Sequence, residues 1–320
     1  KIAYSSDAVA CAECGRSHRA PNLLDEMRSR SLVPDAITYN SVIDACAKGG
    51  ESQRAFELLD EMRRYGLVPD EITYNSVINA CAKGDQWQRA LNLLDEMRSR
   101  GLVPDKITYS SVINACAKGD EWQRALDLLD EMRSRGLVPG AAAYGAALNA
   151  CAIGRQPERA LSLFKSLQQD GLSPELGHWS QLLDAIGPNH AQSRSLLLRM
   201  IGQLLLAGAE CIEAGVLKLD LHGLTAGAAE MVVRWWLTER LPQRLEGCKM
   251  SEPTQVVLLT GHGESRVLKE AGDVKKRVLE LVDELGTVVE QSNRGCVVLE
   301  WPLKVQRFGR SILLVRSRVV

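Results

Sequence analysis

Apolar residues in the first half of the chain recur at helical spacing. Tyr39, Val42, Ile43 and Cys46 fall at i, i+3, i+4 and i+7, which places them on one face of a helix. Gly49 and Gly50 end that pattern. Ala55, Leu58, Leu59 and Met62 repeat the spacing on a second stripe, and Gly66 and Pro69 close it, as expected past a helix C-terminus. The predicted unit is a helical hairpin. A lone hairpin cannot bury both stripes, so neighbours must stack into a solenoid.

The unit repeats with a period of 35. Residues 71–105 and 106–140 are identical at thirty of thirty-five positions. In this frame the units are 1–35, 36–70, 71–105, 106–140 and 141–175, with a partial copy at 176–186 before Pro188 interrupts it. The fourth position is Tyr4, Tyr39, Tyr74, Tyr109 and Tyr144, and Trp179 takes that slot in the partial copy. Cys11, Cys46, Cys81, Cys116 and Cys151 also recur with the period and read as small core residues. Cys11 and Cys14 form a C-x-x-C with no second pair to complete a zinc site, so no metal is expected. Reduced thiols fit an intracellular or organellar compartment.

After residue 186 the period is lost. Residues 187–215 read as a helical connector. Residues 216–303 then take an α/β texture: an alternating strand at 216–222, a helix at 225–241, an apolar strand at 254–260, a helix at 273–285, and a hairpin formed by 288–291 and 296–301. The order β-α-β-α-β-β predicts a small two-layer domain. Residues 304–320 form a basic tail carrying Lys304, Arg307, Arg310, Arg316 and Arg318.

Composition adds little. Hydrophobic residues make up 45% and charged residues 25%, the profile of an ordinary soluble protein. Net charge is −1, which gives no general argument for nucleic acid, and no apolar run is long enough to span a bilayer. The chain starts at Lys1, on the first position of a repeat, which suggests further units and any targeting segment upstream.

The 35-residue hairpin of the form ITYNSVIDACAKGG followed by GLVPD resembles the pentatricopeptide repeat family, over Lys1 to about Ile186. The W-x-x-L-G-x-x-Y signature of the 34-residue tetratricopeptide repeat is absent. The resemblance implies single-stranded RNA as partner, in chloroplast or mitochondrion, read one base per unit by two side chains. Those positions are Ser5 with Asp35, Asn40 with Asp70, Asn75 with Asp105, Ser110 with Gly140, and Gly145 with Glu175; Ser180 occupies the fifth slot of the partial copy. In the family's code Asn with Asp selects uracil and Ser with Asp favours guanine, while the last two pairs depart from the usual combinations. The second-position residues Ile2, Ile37, Ile72 and Ile107 would wedge between bases. Each aspartate also follows a proline and precedes a helix, where Asp is a natural N-cap.

Leu219–Gly223 (LDLHG) and Thr260–Gly263 (TGHG), with Asn293, Gly295 and Val297, resemble the Smr (small MutS-related) domain, from about Val216 to Trp301. Repeats followed by such a domain define an organellar subclass. Asp220 and His222, two apart on a strand, would share one face. Thr260, Gly261 and Gly263 would hold a phosphate with backbone N–H groups, and His262 would add a cation or proton donor. Family members nick DNA or cleave RNA, so Asp220, His222 and His262 are the catalytic candidates; no cofactor is expected, with a divalent metal such as Mg²⁺ left open for a nuclease. Thr225 reads as the cap of its helix.

The sequence therefore predicts an α-solenoid of helical hairpins followed by a small α/β domain. The function it points to is sequence-selective RNA binding in organellar RNA processing, stabilisation or expression. Two alternatives stay open: a site-directed endoribonuclease, and a protein-interaction scaffold. DNA and RNA-processing proteins remain open as further partners; no membrane is expected.

Overall fold

The structure is a computed structural model that describes residues 10, 20–206, 210–213, 216–241, 255–259, 276–281, 289–293, 296–299, 303–308 and 311–316. It divides into two compact units, 1–172 and 173–320.

The first unit is a helical-repeat solenoid. Its described helices are α1 (Ala20–Ser29), α2 (Ala36–Gly49), α3 (Ser52–Arg64), α4 (Glu71–Lys83), α5 (Trp87–Ser99), α6 (Lys106–Lys118), α7 (Trp122–Ser134), α8 (Ala141–Ile153) and α9 (Pro157–Gln169). The even-numbered helices are the first of each hairpin and pack side by side, α2 on α4 on α6 on α8. Each also packs on its own second helix and on the second helix of the preceding unit. The apolar stripes explain this arrangement. Tyr39, Val42, Ile43 and Cys46 are sealed from solvent, as are their counterparts in α4, α6 and α8.

The turns follow from residue chemistry. Gly66, Gly101, Gly136 and Gly171 end the second helices with φ between +73° and +78°, a conformation glycine adopts without a Cβ penalty. Ser31 fills the same slot at φ 57°. The following segment is extended, and Asp35, Asp70 and Asp105 each cap the next helix. Asp35 accepts from Thr38 N at 3.0 Å, Asp70 from Thr73 N at 2.9 Å and Asp105 from Thr108 N at 2.8 Å. Gly119 and Gly154 serve close approach. A Cβ at Gly119 would lie 2.1 Å from Trp87 Cδ1, and one at Gly154 2.6 Å from Trp122 Cδ2, so the ring of one unit occupies the space a side chain in the next would need.

A polar clasp joins successive units, and the hydropathy pattern does not show it. Arg63 on α3, Tyr74 on α4 and Glu96 on α5 converge: Arg63 Nη2 donates to Glu96 Oε1 at 2.6 Å and to Tyr74 Oη at 3.3 Å, and Tyr74 Oη donates to Glu96 Oε1 at 3.0 Å. Arg98, Tyr109 and Glu131 repeat this at 2.6, 3.1 and 3.0 Å. Arg28, Tyr39 and Glu61 form the same set. In the next unit Ser166 stands where the glutamate would be, and Asp170 takes the Tyr144 hydroxyl instead. Burial alone would raise the Glu96 carboxyl. Hydrogen bonds from Tyr74 and Arg63, with the Arg63 charge, overcome it and hold Glu96 below the ordinary carboxylate range. The buried thiols of Cys46, Cys81 and Cys116 are pushed up to about 12 by desolvation, so they are core groups rather than nucleophiles.

The second unit begins with α10 (Leu176–Ile186), the partial repeat, followed by α11 (Ser193–Leu206) and α12 (Ala226–Trp235), whose end widens into a π-helical turn at Trp236–Arg240. α10 packs on α11 and α12. Trp179 is buried, Gly223 (φ +77°) lies under Leu176, and a Cβ at Gly227 would lie 2.3 Å from Asp184 Oδ1. This contact network groups the sixth hairpin fragment with the C-terminal unit.

The strands are β1 (Glu210–Glu213), β2 (Val216–Asp220), β3 (Gln255–Leu259), β4 (Val289–Asn293), β5 (Cys296–Leu299), β6 (Leu303–Phe308) and β7 (Ser311–Arg316). The first five are ordered β1-β2-β3-β5-β4. β2 and β3 run parallel, with α12 in the connection between them, and the other pairs are antiparallel. Residues 276–281 are helical.

Two segments differ from the sequence-based expectation. Residues 210–213, expected in a helical connector, pair with β2. The Glu210 carboxylate takes Trp236 Nε1 at 3.4 Å and Arg240 at 3.5 Å, anchors that sit far ahead in the sequence. Residues 303–316, expected largely as a basic tail, form the β6–β7 antiparallel hairpin, in which Lys304 pairs with Val315 and Arg307 with Ile312. No helix among the described residues is long and apolar enough to cross a membrane.

Candidate nucleic-acid interface

The first helix of each unit keeps one face out of the core. On α2 that face carries Ile37, Asn40, Asp44 and Lys48, at steps of three, four and four residues. On α4 it carries Ile72, Asn75, Asn79 and Lys83, and on α6 Ile107, Ser110, Asn114 and Lys118. None of these residues is buried. Because α2, α4 and α6 lie side by side, the three faces adjoin.

The expected reading pairs meet in two units. Asn40 Nδ2 donates to Asp70 Oδ1 at 3.2 Å, and Asn75 Nδ2 to Asp105 Oδ1 at 3.5 Å. These residues are thirty apart in sequence and come together because the aspartate caps the adjacent first helix. Thr73 and Thr108 join them. Thr73 Oγ1 lies 2.6 Å from Asn40 Oδ1 and 2.8 Å from Asp70 Oδ1, and Thr108 Oγ1 lies 2.6 Å from Asn75 Oδ1 and 2.9 Å from Asp105 Oδ1. All bonds to either aspartate side chain among the described residues end on Oδ1, which leaves Oδ2 for a ligand. Burial opposes ionisation of Asp70, but hydrogen bonds from the Thr73 backbone and hydroxyl and from Asn40 outweigh it, so its carboxyl sits below the ordinary range.

The other pairs differ. Ser110 Oγ donates back to Lys106 O at 2.6 Å, and Gly140 offers no side chain. Gly145 has none either, and Glu175 is an exposed residue whose N–H donates to His178 Nδ1 at 3.1 Å. Ser180, expected in the fifth slot of the partial copy, is completely buried in α10 and faces no groove. Asp35 caps α2. Ser5 and Ile2 lie outside the described residues.

Ile37, Ile72 and Ile107 are 67%, 63% and 63% exposed, although isoleucine is among the residues most often buried. Three large apolar side chains standing in water at the same slot, beside the polar pairs, present a ledge suited to the face of a base.

The lysine row was not anticipated, although its signal, the recurring CAKG, was in the sequence. Lys48, Lys83 and Lys118 end successive first helices and are exposed. Desolvation and the charges of Lys118 and Lys48 lower Lys83 below an ordinary lysine, with Asp44 opposing. Lys48 is held by Asp44 at 2.8 Å; no ion pair is seen to Lys83 or Lys118 among the described residues. The row is a track of positive charge parallel to the Asn–Asp pairs.

In the C-terminal unit Asp220 and His222 do meet, but not by strand alternation. β2 ends at Asp220 and His222 sits in the following turn, where its N–H donates to Asp220 Oδ1 at 2.9 Å and its Nδ1 contacts the same oxygen. Both remain exposed. Thr225 stands at the N-cap of α12, yet its hydroxyl makes no capping bond. Trp236 is core. Thr260, Gly261, His262 and Gly263 lie outside the described residues.

Comparison with known proteins places the repeats. The PPR repeat family matches residues 9–48, 34–83 and 69–118, the PPR repeat matches 107–137, and the pentatricopeptide repeat domain matches 127–189. No curated protein matches the chain. Among solved structures, the pentatricopeptide repeat protein PPR10 in complex with an 18-nt psaJ RNA element is similar at 24% identity and a TM-score of 0.52, over 89% of this chain and 44% of that one. The pentatricopeptide repeat protein PPR10 from maize gives 24% identity and 0.48, over 88% and 39%. Nuclear proteinaceous RNase P 2 from A. thaliana gives 16% identity and 0.50, over 62% and 46%. At these identities the likeness is one of fold, and this chain spans less than half of each of those proteins.

Proposed function

Since the chain belongs to the pentatricopeptide repeat family, we propose that it binds single-stranded RNA on the adjoining faces of its first helices, one base per unit. One observation carries the reading. In two successive units the fifth-position asparagine and the last-position aspartate bond each other directly, beside an exposed isoleucine. A hairpin that only needed a cap would require the aspartate and not the asparagine. PPR10 in its solved complex holds an RNA element, which supports the same ligand class here. The two Asn–Asp pairs read adjacent uracils, the isoleucines separate bases, and the lysine row follows the phosphates.

The reading is tested by replacing Asn40 and Asn75 with Ser. Serine offers a hydroxyl in place of the amide. The expected result is a shift of preference away from uracil by about tenfold at each slot, measured by competition between strands that differ only there. A double variant with the wild-type preference would remove the code from these positions.

The C-terminal unit is proposed as an Smr-like α/β module that contacts the RNA delivered by the repeats, in a chloroplast or mitochondrial protein engaged in RNA processing, stabilisation or expression. The contact between Asp220 and His222 favours a second reading in which this module cuts. There Asp220 would orient the imidazole and His222 would serve as general acid or base. RNA incubated with the full chain should then be cleaved, and Asp220→Asn or His222→Ala should abolish cleavage with folding intact. Equal cleavage by wild type and variants would end that reading.

A further inference from the structure

We propose that Thr73 and Thr108 are positioning residues for base selection, so that the reading element of units 36–70 and 71–105 is a triad of Asn, Asp and Thr completed by the following unit. The inference rests on the base-reading proposal above and names what sets its selectivity.

The bland role of these threonines is the capping box. Thr73 Oγ1 accepts the Asp70 N–H at 3.2 Å while the Asp70 carboxylate accepts Thr73 N, and Thr108 does the same for Asp105 at 3.1 Å. That role explains the bonds between threonine and aspartate. It does not explain the short contact in each cluster, 2.6 Å from the threonine hydroxyl to the Oδ1 of an asparagine thirty-three residues earlier on the neighbouring helix.

The consequence is chemical. A carboxamide can turn over about its last torsion and exchange donor for acceptor at small cost, so a free asparagine presents either group to a base. Here the two ends are held by different partners. The single hydroxyl proton has two acceptors in reach, and the asparagine Oδ1 at 2.6 Å is nearer than the aspartate Oδ1 at 2.8 or 2.9 Å, while Nδ2 donates to the carboxylate. Turning the amide over would set Nδ2 against the hydroxyl and Oδ1 against the carboxylate, two acceptors face to face. The amide is therefore pinned, and one fixed pattern of donor and acceptor faces the ligand. Pinning turns a side chain that would tolerate either pyrimidine into one that separates uracil from cytosine. Both threonines are fully buried, so they act only through the asparagine and aspartate they touch.

The other units vary, and unit 1–35 keeps Asp35 and Thr38 with Ser5 in the asparagine slot. In unit 106–140 the asparagine is Ser110, the aspartate is Gly140, and the residue in the threonine slot of the next unit is Ala143, itself fully buried. All three members are missing together.

The test titrates wild type, Thr73→Val with Thr108→Val, and Thr73→Ser with Thr108→Ser against oligouridylate and oligocytidylate of equal length, with melting temperature recorded for each. The valine pair keeps the shape and removes the hydroxyl. It should lose about tenfold per slot in the ratio of uridylate to cytidylate affinity, and the serine pair should restore the ratio. A folded valine pair with an unchanged ratio overturns the positioning role and leaves reading by asparagine and aspartate standing. A wild type without any ratio overturns base reading and this inference with it. A gain-of-function pair decides the matter even if valine unfolds the repeats. Ser110→Asn with Gly140→Asp should add discrimination only when Ala143→Thr accompanies them; equal discrimination without the threonine overturns the proposal.

Discussion

Tyr109→Ala should destabilise the repeat array by about 4 kcal/mol, the largest loss expected from a single change in the first unit. The ring is fully buried between α6 and the second helices on either side, so its removal leaves a cavity in close-packed surroundings. It also strips a hydroxyl from the Arg98–Glu131 pair. Tyr109→Phe separates the two effects. The ring stays, and Arg98 still holds Glu131 at 2.6 Å, so the cost should be only about 1 kcal/mol. Thermal melts of both variants check this, and an alanine variant within about 1 kcal/mol of wild type would show that the stack does not depend on the clasp. Acid should weaken the same contact. Burial works to raise the Glu131 carboxyl, but hydrogen bonds from Tyr109 and Arg98 hold it below its ordinary range. A folded pKa depressed in this way stabilises the protein above the unfolded carboxylate pKa, and that contribution is lost as the pH falls through the folded one. Because each unit contacts only its neighbours, a broken clasp at α5–α6–α7 should divide the melting transition rather than merely shift it.

What could be read from the sequence divides along the same line. Apolar spacing and the 35-residue period were sufficient for the hairpins and their stacking, because those follow from one helix face at a time; the second-position isoleucines were named only through the family resemblance. The clasp was not visible. Arg98, Tyr109 and Glu131 are eleven and twenty-two residues apart on three helices, and each reads alone as an ordinary surface or core residue. Thr73 was hidden for a similar reason, since its capping spacing to Asp70 masks a partner thirty-three residues back. Ser180 shows the opposite error. Position within the repeat assigned it to a reading slot, but α10 is buried against α11 and α12 and has exchanged its solvent face for a second core. At Asp220 and His222 the sequence named the right neighbours with the wrong geometry, because the strand stops at Asp220 and a turn makes the contact.

The charge track supplies the largest expected effect on binding. Lys48→Gln, Lys83→Gln and Lys118→Gln together should lower affinity for single-stranded RNA by about 30- to 100-fold at moderate salt. They should also flatten the slope of log affinity against log salt by about 2, since each phosphate neutralised on a single strand contributes about 0.7 to that slope. Folding should be nearly untouched, because all three side chains are exposed at helix ends. The depressed Lys83 gives the effect a pH signature. Without RNA its ammonium is disfavoured by desolvation and by Lys118 and Lys48. A phosphate chain along the row offsets that repulsion and raises the pKa, so binding takes up protons and affinity should fall with rising pH sooner than an ordinary lysine would dictate. The triple variant should lose this early fall along with the salt slope. A protein partner held on the same face by apolar contact at the isoleucines would leave both quantities nearly unchanged. RNA binding whose salt dependence survives the three substitutions would place the phosphates elsewhere and detach the isoleucine and asparagine rows from the path of the strand.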